Sequence, residues 1–301
     1  LAAPSLAAPP VVLGYYPYWV ANRFPPTSID FKSFTHICHA FLMSDNAGQL
    51  KVDEGTVPSA ALCEAAHRAG TKVLLSLGGA QSDDYFNAQS SATQDAFVKG
   101  TLGWVETYGY DGLDLDWEHP ETDENTASFL RMAGALRKGL SGLGKKTGKS
   151  YLLTAAVPEG DWNGKHYDGP AMLPLFDFVN IMTYDYSGPW HEVAAHNAPL
   201  NASSKDPYGG AVTKALSYWT GKGWPKERLN LGLACYGRGF DVSEPHAKLS
   251  KGAAKSKYEY LDYHDILPLI AAGWTRTWDA EIQAPWLRSP GMDALIAYDD
   301  P

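Results

Sequence analysis

The chain predicts an α/β barrel, and three observations carry that expectation. Apolar strand-like runs alternate with helix-like stretches over most of the 301 residues. The runs are near-continuously apolar, as strands covered on both faces are. No Gly-x-Gly-x-x-Gly follows the first run, which argues against a dinucleotide-binding sheet. The expected architecture is a (β/α)8 TIM-type barrel of right-handed β-α-β units, with a small α+β insertion after strand seven.

The elements follow in order. Residues 11–19 (VVLGYYPYW) read as the first buried strand, with Pro17 near its end. Residues 36–42 form the second. Residues 58–70 have helical spacing and stop at Gly70. Residues 72–77 read as strand three, 93–108 as an amphipathic helix and 112–118 as strand four. Residues 125–139 read as helix, 151–158 as strand five and 176–186 as strand six. A helix over 211–222 precedes strand seven at 229–240. Beyond Phe240 the alternation fails. A helix near 263–272 and short strands near 276–278 and 294–298 describe the insertion. The expected domains are a 1–10 Ala/Pro-rich tail, a barrel over 11–240 and the insertion over 241–301. An eighth strand is missing from the sequence given. A longer chain, a truncation, or a second chain completing the barrel would each account for that gap.

Composition narrows the function. A net charge of −9 leaves no basic footprint for nucleic acid and disfavours polyanionic substrates. No apolar run has the length of a membrane helix. Cys38 and Cys235 fall in predicted strands and read as buried small hydrophobes, with no disulfide expected among the three cysteines. Ten Trp and 17 Tyr suit stacking on the apolar faces of sugar rings.

The most informative stretch is Asp111-Gly112-Leu113-Asp114-Leu115-Asp116-Trp117-Glu118. On a strand, Asp114, Asp116 and Glu118 share one face and Leu113, Leu115 and Trp117 the other. A carboxylate row repels itself unless protons, hydrogen bonds or a cation take up its charge. An edge strand with protective charges would explain the row, but the opposite face is apolar enough for core and edges favour Lys. His119-Pro120 has no second His or Cys at metal-ligand spacing nearby, so neither metal nor cofactor is expected.

These residues resemble glycoside hydrolase family 18, the chitinases. The octapeptide is similar to the family's Asp-Gly-x-Asp-x-Asp-x-Glu signature. Ser76-x-Gly78-Gly79, Met182-Thr183-Tyr184-Asp185, Tyr236-Gly237-Arg238 and Tyr298-Asp299-Asp300-Pro301 resemble further family motifs, in the family's order. The resemblance implies Glu118 as general acid, Asp116 as the group orienting the substrate's acetamido arm, and Asp114 as its partner. It implies Tyr184 as a donor to the acetamido oxygen. It further implies Tyr15, Trp19, Phe41, Gly79, Trp117, Met182, Asp185, Tyr236, Arg238 and Trp286 along the sugar. Non-proline cis bonds are implied at Ala40–Phe41 and Glu118–His119.

Structural roles compete for some positions. Asp111 reads as a hydrogen-bonding residue at the strand start, and Gly112 as serving backbone shape. Trp19, Trp162, Trp190, Trp278 and Trp286 fall in loops or at strand ends, where packing competes with sugar stacking. The expected activity is hydrolysis of β-1,4 N-acetylglucosamine links, with chitin or its oligosaccharides as partner and an extracellular setting. The alternatives are an endo-β-N-acetylglucosaminidase, a peptidoglycan hydrolase, and a non-catalytic, lectin-like chitin-binding barrel.

Overall fold

The computed structural model describes residues 10–45, 47–51, 57–87, 89–249 and 256–300. The expected tail, apart from Pro10, and Pro301 lie outside the described residues. The elements are β1 (Leu13–Pro17), β2 (His36–Ser44), β3 (Leu50–Lys51), α1 (Ala60–Ala69), β4 (Lys72–Gly79), α2 (Asp83–Asn87) and α3 (Ser91–Tyr108). Next come β5 (Gly112–Trp117), α4 (Asp123–Thr147), β6 (Leu152–Pro158), α5 (Asp161–Gly164), α6 (Gly169–Met172) and β7 (Phe178–Met182). The remainder is α7 (Val212–Gly221), β8 (Leu229–Leu231), β9 (Tyr236–Phe240), β10 (Leu261–Asp262), α8 (Tyr263–Ala271), β11 (Thr275–Asp279), β12 (Ala284–Arg288) and β13 (Leu295–Ala297).

The large sheet runs β1-β2-β4-β5-β6-β7-β8, with β3 antiparallel on β2. These seven strands and their helices are the half-barrel of a (β/α)8 fold. A five-stranded antiparallel sheet runs β10-β9-β13-β12-β11. By its contacts the chain divides into two units, Leu1–Ala156 with His166–Val179, and Val157–Lys165 with Asn180–Pro301.

In the first unit, local signals start and stop the helices. Ser59 caps α1 by accepting from the Leu62 amide, and Gly70 ends it in the left-handed region at φ 84°. Thr122 caps α4 in the same way, and Gly148 closes it at φ 73°. This helix runs eight residues beyond the predicted end at Gly139. That glycine is a packing position, since a Cβ there would lie 2.1 Å from Leu102. The outward face of β5 is core: Leu113, Leu115 and Trp117 are fully buried. The Trp117 ring stacks on Phe86 at 4.9 Å. Burying such rings stabilises by roughly 2–3 kcal/mol each, enough to seat the strand firmly.

The second unit corrects two strand expectations. Residues 229–240 are two strands, β8 and β9, and the second belongs to the antiparallel sheet. Tyr236, Gly237 and Arg238 therefore stand in that sheet, not in a barrel strand. Between the strands, the Gly232 amide donates to Ile181 O at 2.8 Å and the Gly232 carbonyl accepts from Thr183 Oγ1 at 2.6 Å. Leu233 is 81% exposed and Cys235 is exposed, so Cys235 is not the buried strand residue expected. Cys38 is buried, and all three cysteines are free. Residues 176–186 contribute only β7. The chain leaves the strand direction at Asp185, whose φ is +58°.

Asp111 has the structural role expected of it. Its Oδ2 accepts from the Val73 amide at 2.8 Å and lies 2.7 Å from His67 Nε2. It thus ties the start of β5 to β4 and α1. Asp111→Ala is expected to cost about 1–3 kcal/mol by orphaning the Val73 amide. An unchanged urea midpoint would contradict that role.

Candidate active site

The acid row of β5 takes its order from the strands on either side. Register sets Ser76 of β4 opposite Asp114, and Thr154 of β6 opposite it on the other side. Asp114 is fully buried. Its Oδ2 accepts from Tyr15 Oη and Ser76 Oγ, each at 2.9 Å, and its Oδ1 from Thr154 Oγ1 at 2.6 Å. Three hydroxyl protons aimed at one carboxylate satisfy a buried anion.

Asp116, two residues on, is 4% exposed, and its buried Oδ1 has no hydrogen-bond partner among the described residues. Burial, then the charges of Glu118 and Asp114, push its pKa well above the usual carboxylate range. Burial and its two acidic neighbours thus favour the protonated form at Asp116, while three hydroxyl donors favour the anion at Asp114. Glu118, just past the strand end, keeps 24% of its side chain exposed. Its amide donates to Ser82 Oγ at 3.0 Å, its carbonyl accepts from the Asp83 amide at 3.2 Å, and Ser82 Oγ donates to Asp116 O at 3.2 Å. The strand end is thus pinned from both sides of the acid.

The Ser-x-Gly-Gly motif has a steric reason at both glycines. Gly78 has φ +108°, and a Cβ there would sit 2.2 Å from Asp116 O. Gly79 has φ +93°, and its Cβ would meet the Phe41 ring at 2.7 Å. Phe41 follows one of the two expected non-proline cis bonds; both Ala40–Phe41 and Glu118–His119 are cis. Its ring centroid lies 6.4 Å from Tyr15 and 6.2 Å from Trp19. Trp19 is 59% exposed and offers an open aromatic face. Trp117 does not. It was expected along the sugar, but it points to the other side of the strand and is fully buried core.

The second unit gathers the other expected residues. Met182 and Tyr184 are half-buried. The Tyr184 and Tyr236 rings meet edge to face at 6.0 Å. Arg238 donates from Nε and Nη2 to Asp185 Oδ1 at 2.9 and 2.7 Å, and the Asp185 amide donates to Asn197 Oδ1. The Arg238 guanidinium also lies 5.1 Å from the Trp190 ring and 5.3 Å from Tyr236 and Tyr260. Trp286 is corrected as well. It is 1% exposed in β12 and packs with Ala194, Phe240 and Ile282, so it has no face for a sugar.

Four residues escaped sequence reasoning: Thr154, Ser82, Tyr167 and Asn197. Thr154 had a signal, a lone hydroxyl in an apolar strand beside the acid row. The others are set by loops whose course the sequence does not reveal. Elsewhere, Asp262, His264 and Asp265 each bring a ligand atom within 4.8 Å of the others. Such exposed acidic groups commonly gather without an ion.

The raised pKa of Asp116 has a stability consequence. Unfolded, Asp116 loses its proton near the ordinary aspartate value, about 3.9. Folded, it keeps the proton well above that. The folded state then binds more protons, so this group's contribution falls as pH rises from about 4 through the raised folded pKa. Asp116→Asn removes the effect. Urea midpoints should favour the variant more at pH 7.5 than at pH 4.5, and parallel pH curves would contradict the assignment.

Comparison with known proteins places the chain in a family. The family model for glycosyl hydrolases family 18 matches residues 11–301. A probable endochitinase of Caenorhabditis elegans is 33% identical over 76% of this chain and 39% of its own length. The class V chitinase CHIT5b of Medicago truncatula is 30% identical over 94% of this chain and 79% of its own. The chain spans between 37% and 66% of the length of the first curated relatives it matches. A Cycas revoluta chitinase crystallised with (GlcNAc)3 superposes with a TM-score of 0.85, covering 96% of this chain and 87% of that one at 23% identity, which shows the shared fold. The chain belongs to glycosyl hydrolases family 18.

Proposed function

We propose that the chain hydrolyses β-1,4 links between N-acetylglucosamine units with retention, the substrate's own acetamido oxygen acting as nucleophile. The observation that carries this reading is the division of labour along β5: a carboxylate satisfied by three hydroxyls at Asp114, a carboxyl pushed toward its protonated form at Asp116 and a partly exposed carboxyl at Glu118. Retaining enzymes with two carboxylates set them about 5 Å apart, on opposite faces of the ring. Asp116 and Glu118 stand two apart on one strand face, which suits substrate assistance instead.

Glu118 would protonate the glycosidic oxygen as the bond to C1 breaks. The acetamido oxygen would attack C1 and give an oxazolinium ion. Asp116 would orient that arm and, with the charge of Asp114 behind it, stabilise the positive charge. Water, deprotonated by Glu118, would then open the ring with net retention. Tyr184 as acetamido donor, and Asp185 and Arg238 as sugar-binding residues, are proposed from their motifs. The chitinase names of the relatives and the oligosaccharide in the Cycas revoluta structure support chitin as substrate.

Glu118→Gln should lower kcat on an N-acetylglucosamine tetramer by about 10²–10⁴-fold while the tetramer still binds. Early product should be the β anomer by proton NMR. A variant as active as wild type, or early α product, would refute the proposal.

A further inference from the structure

His119 follows the proposed acid, and none of the steps above uses it. Its Nδ1 lies 3.1 Å from Tyr167 Oη, and that hydroxyl donates to Trp117 O at 2.7 Å. A tyrosine hydroxyl has one proton. With that proton on the Trp117 carbonyl, the Tyr167 oxygen is left to accept, and His119 Nδ1 is the donor. In a neutral imidazole the other nitrogen is then a bare lone pair. That nitrogen, Nε2, lies 3.7 Å from Glu118 Oε2.

The lowered pKa leaves the ring neutral near pH 7. Burial lowers the His119 pKa to about 4, against the opposing pull of Asp83. The contact with Glu118 is therefore not an imidazolium–carboxylate pair. At 3.7 Å it is slightly longer than a hydrogen bond. Catalytic contacts of that kind commonly tighten only once substrate binds. Three other titratable groups bear on the pair: Asp83 at the start of α2, Asp116 in the acid row, and Tyr167, whose hydroxyl burial keeps protonated.

We propose that His119 is a positioning residue whose Nε2 lone pair accepts the proton of Glu118 in a hydrogen bond, keeping the acid loaded. A bare nitrogen facing the carboxyl favours the protonated acid over the carboxylate, because only the acid has a hydrogen to offer. The opposite tautomer would do the reverse. An Nε2–H would donate to the carboxylate and strip the acid of its proton at lower pH. Tyr167 thus selects the useful tautomer from the far side of the ring. The proposal rests on the reading of Glu118 as general acid.

Two measurements test it. Nitrogen NMR of the His119 imidazole between pH 6 and 8 should show Nδ1 protonated and Nε2 bare; an Nε2–H tautomer, or a charged ring, would overturn the proposal. This readout does not depend on turnover. His119→Phe keeps a ring and removes the lone pair. The basic limb of its kcat/KM profile on the tetramer should move to lower pH by about half a unit to one unit. His119→Gln, whose amide oxygen can accept, should recover part of the shift. A limb that stays in place, or an equal loss at every pH with a lowered Tm, would overturn it. Failure of the wild-type protein to cleave the tetramer would instead count against the role of Glu118 in glycoside hydrolysis, and the NMR result would still decide the tautomer.

Discussion

Three acids on one face of one strand must be kept from repelling each other, and the first unit is arranged around that constraint. At an effective dielectric near 20, two bare charges a few ångströms apart oppose each other by about 4 kcal/mol. The chain avoids that cost by giving the acids different states. Asp114 accepts hydrogen bonds from hydroxyls of three other strands, which favours its charged form. Asp116 is desolvated between two carboxyls, which pushes its pKa well above the usual carboxylate range. Glu118 reaches the partly exposed end of the row. The proposed proton transfer relies on this gradient from buried carboxylate to accessible carboxyl.

The backbone around the row serves the same end. Gly78 lets β4 approach the Asp116 carbonyl, and Gly79 lets it approach the Phe41 ring, each closer than a side chain would allow. Ser82 bridges the Asp116 carbonyl and the Glu118 amide, so the acid cannot drift from the neighbour that sets its field. On the other side of β5, buried Trp117 and the leucines anchor the strand, and their packing fixes where the acids stand. A loose strand would blur the difference between an acid held neutral and one held charged.

Much of this was legible in the residues. Alternation of acids and apolar residues placed the row on one face, and helix-strand alternation placed that strand in a parallel sheet. The break at Gly232–Cys235 was not legible, because an apolar run looks the same whether it continues or turns. β12 was missed for another reason. Pro285 is the second residue of β12, where the lack of an amide argues against strand, yet it pairs with Trp278. Trp117 and Trp286 read as sugar platforms by residue type, but burial is a property of the packed fold that residue type does not carry. Thr154 became meaningful only once register set it beside Asp114.

The proposed reaction joins one loaded acid to a nucleophile carried by the substrate. The most direct measurement compares two oligosaccharides that differ only at the sugar preceding the cleaved bond, one with its N-acetyl group and one with a free amine there. The acetylated chain should be cut, and the deacetylated chain should resist at that bond under the same conditions. Equal rates on the two would contradict the account.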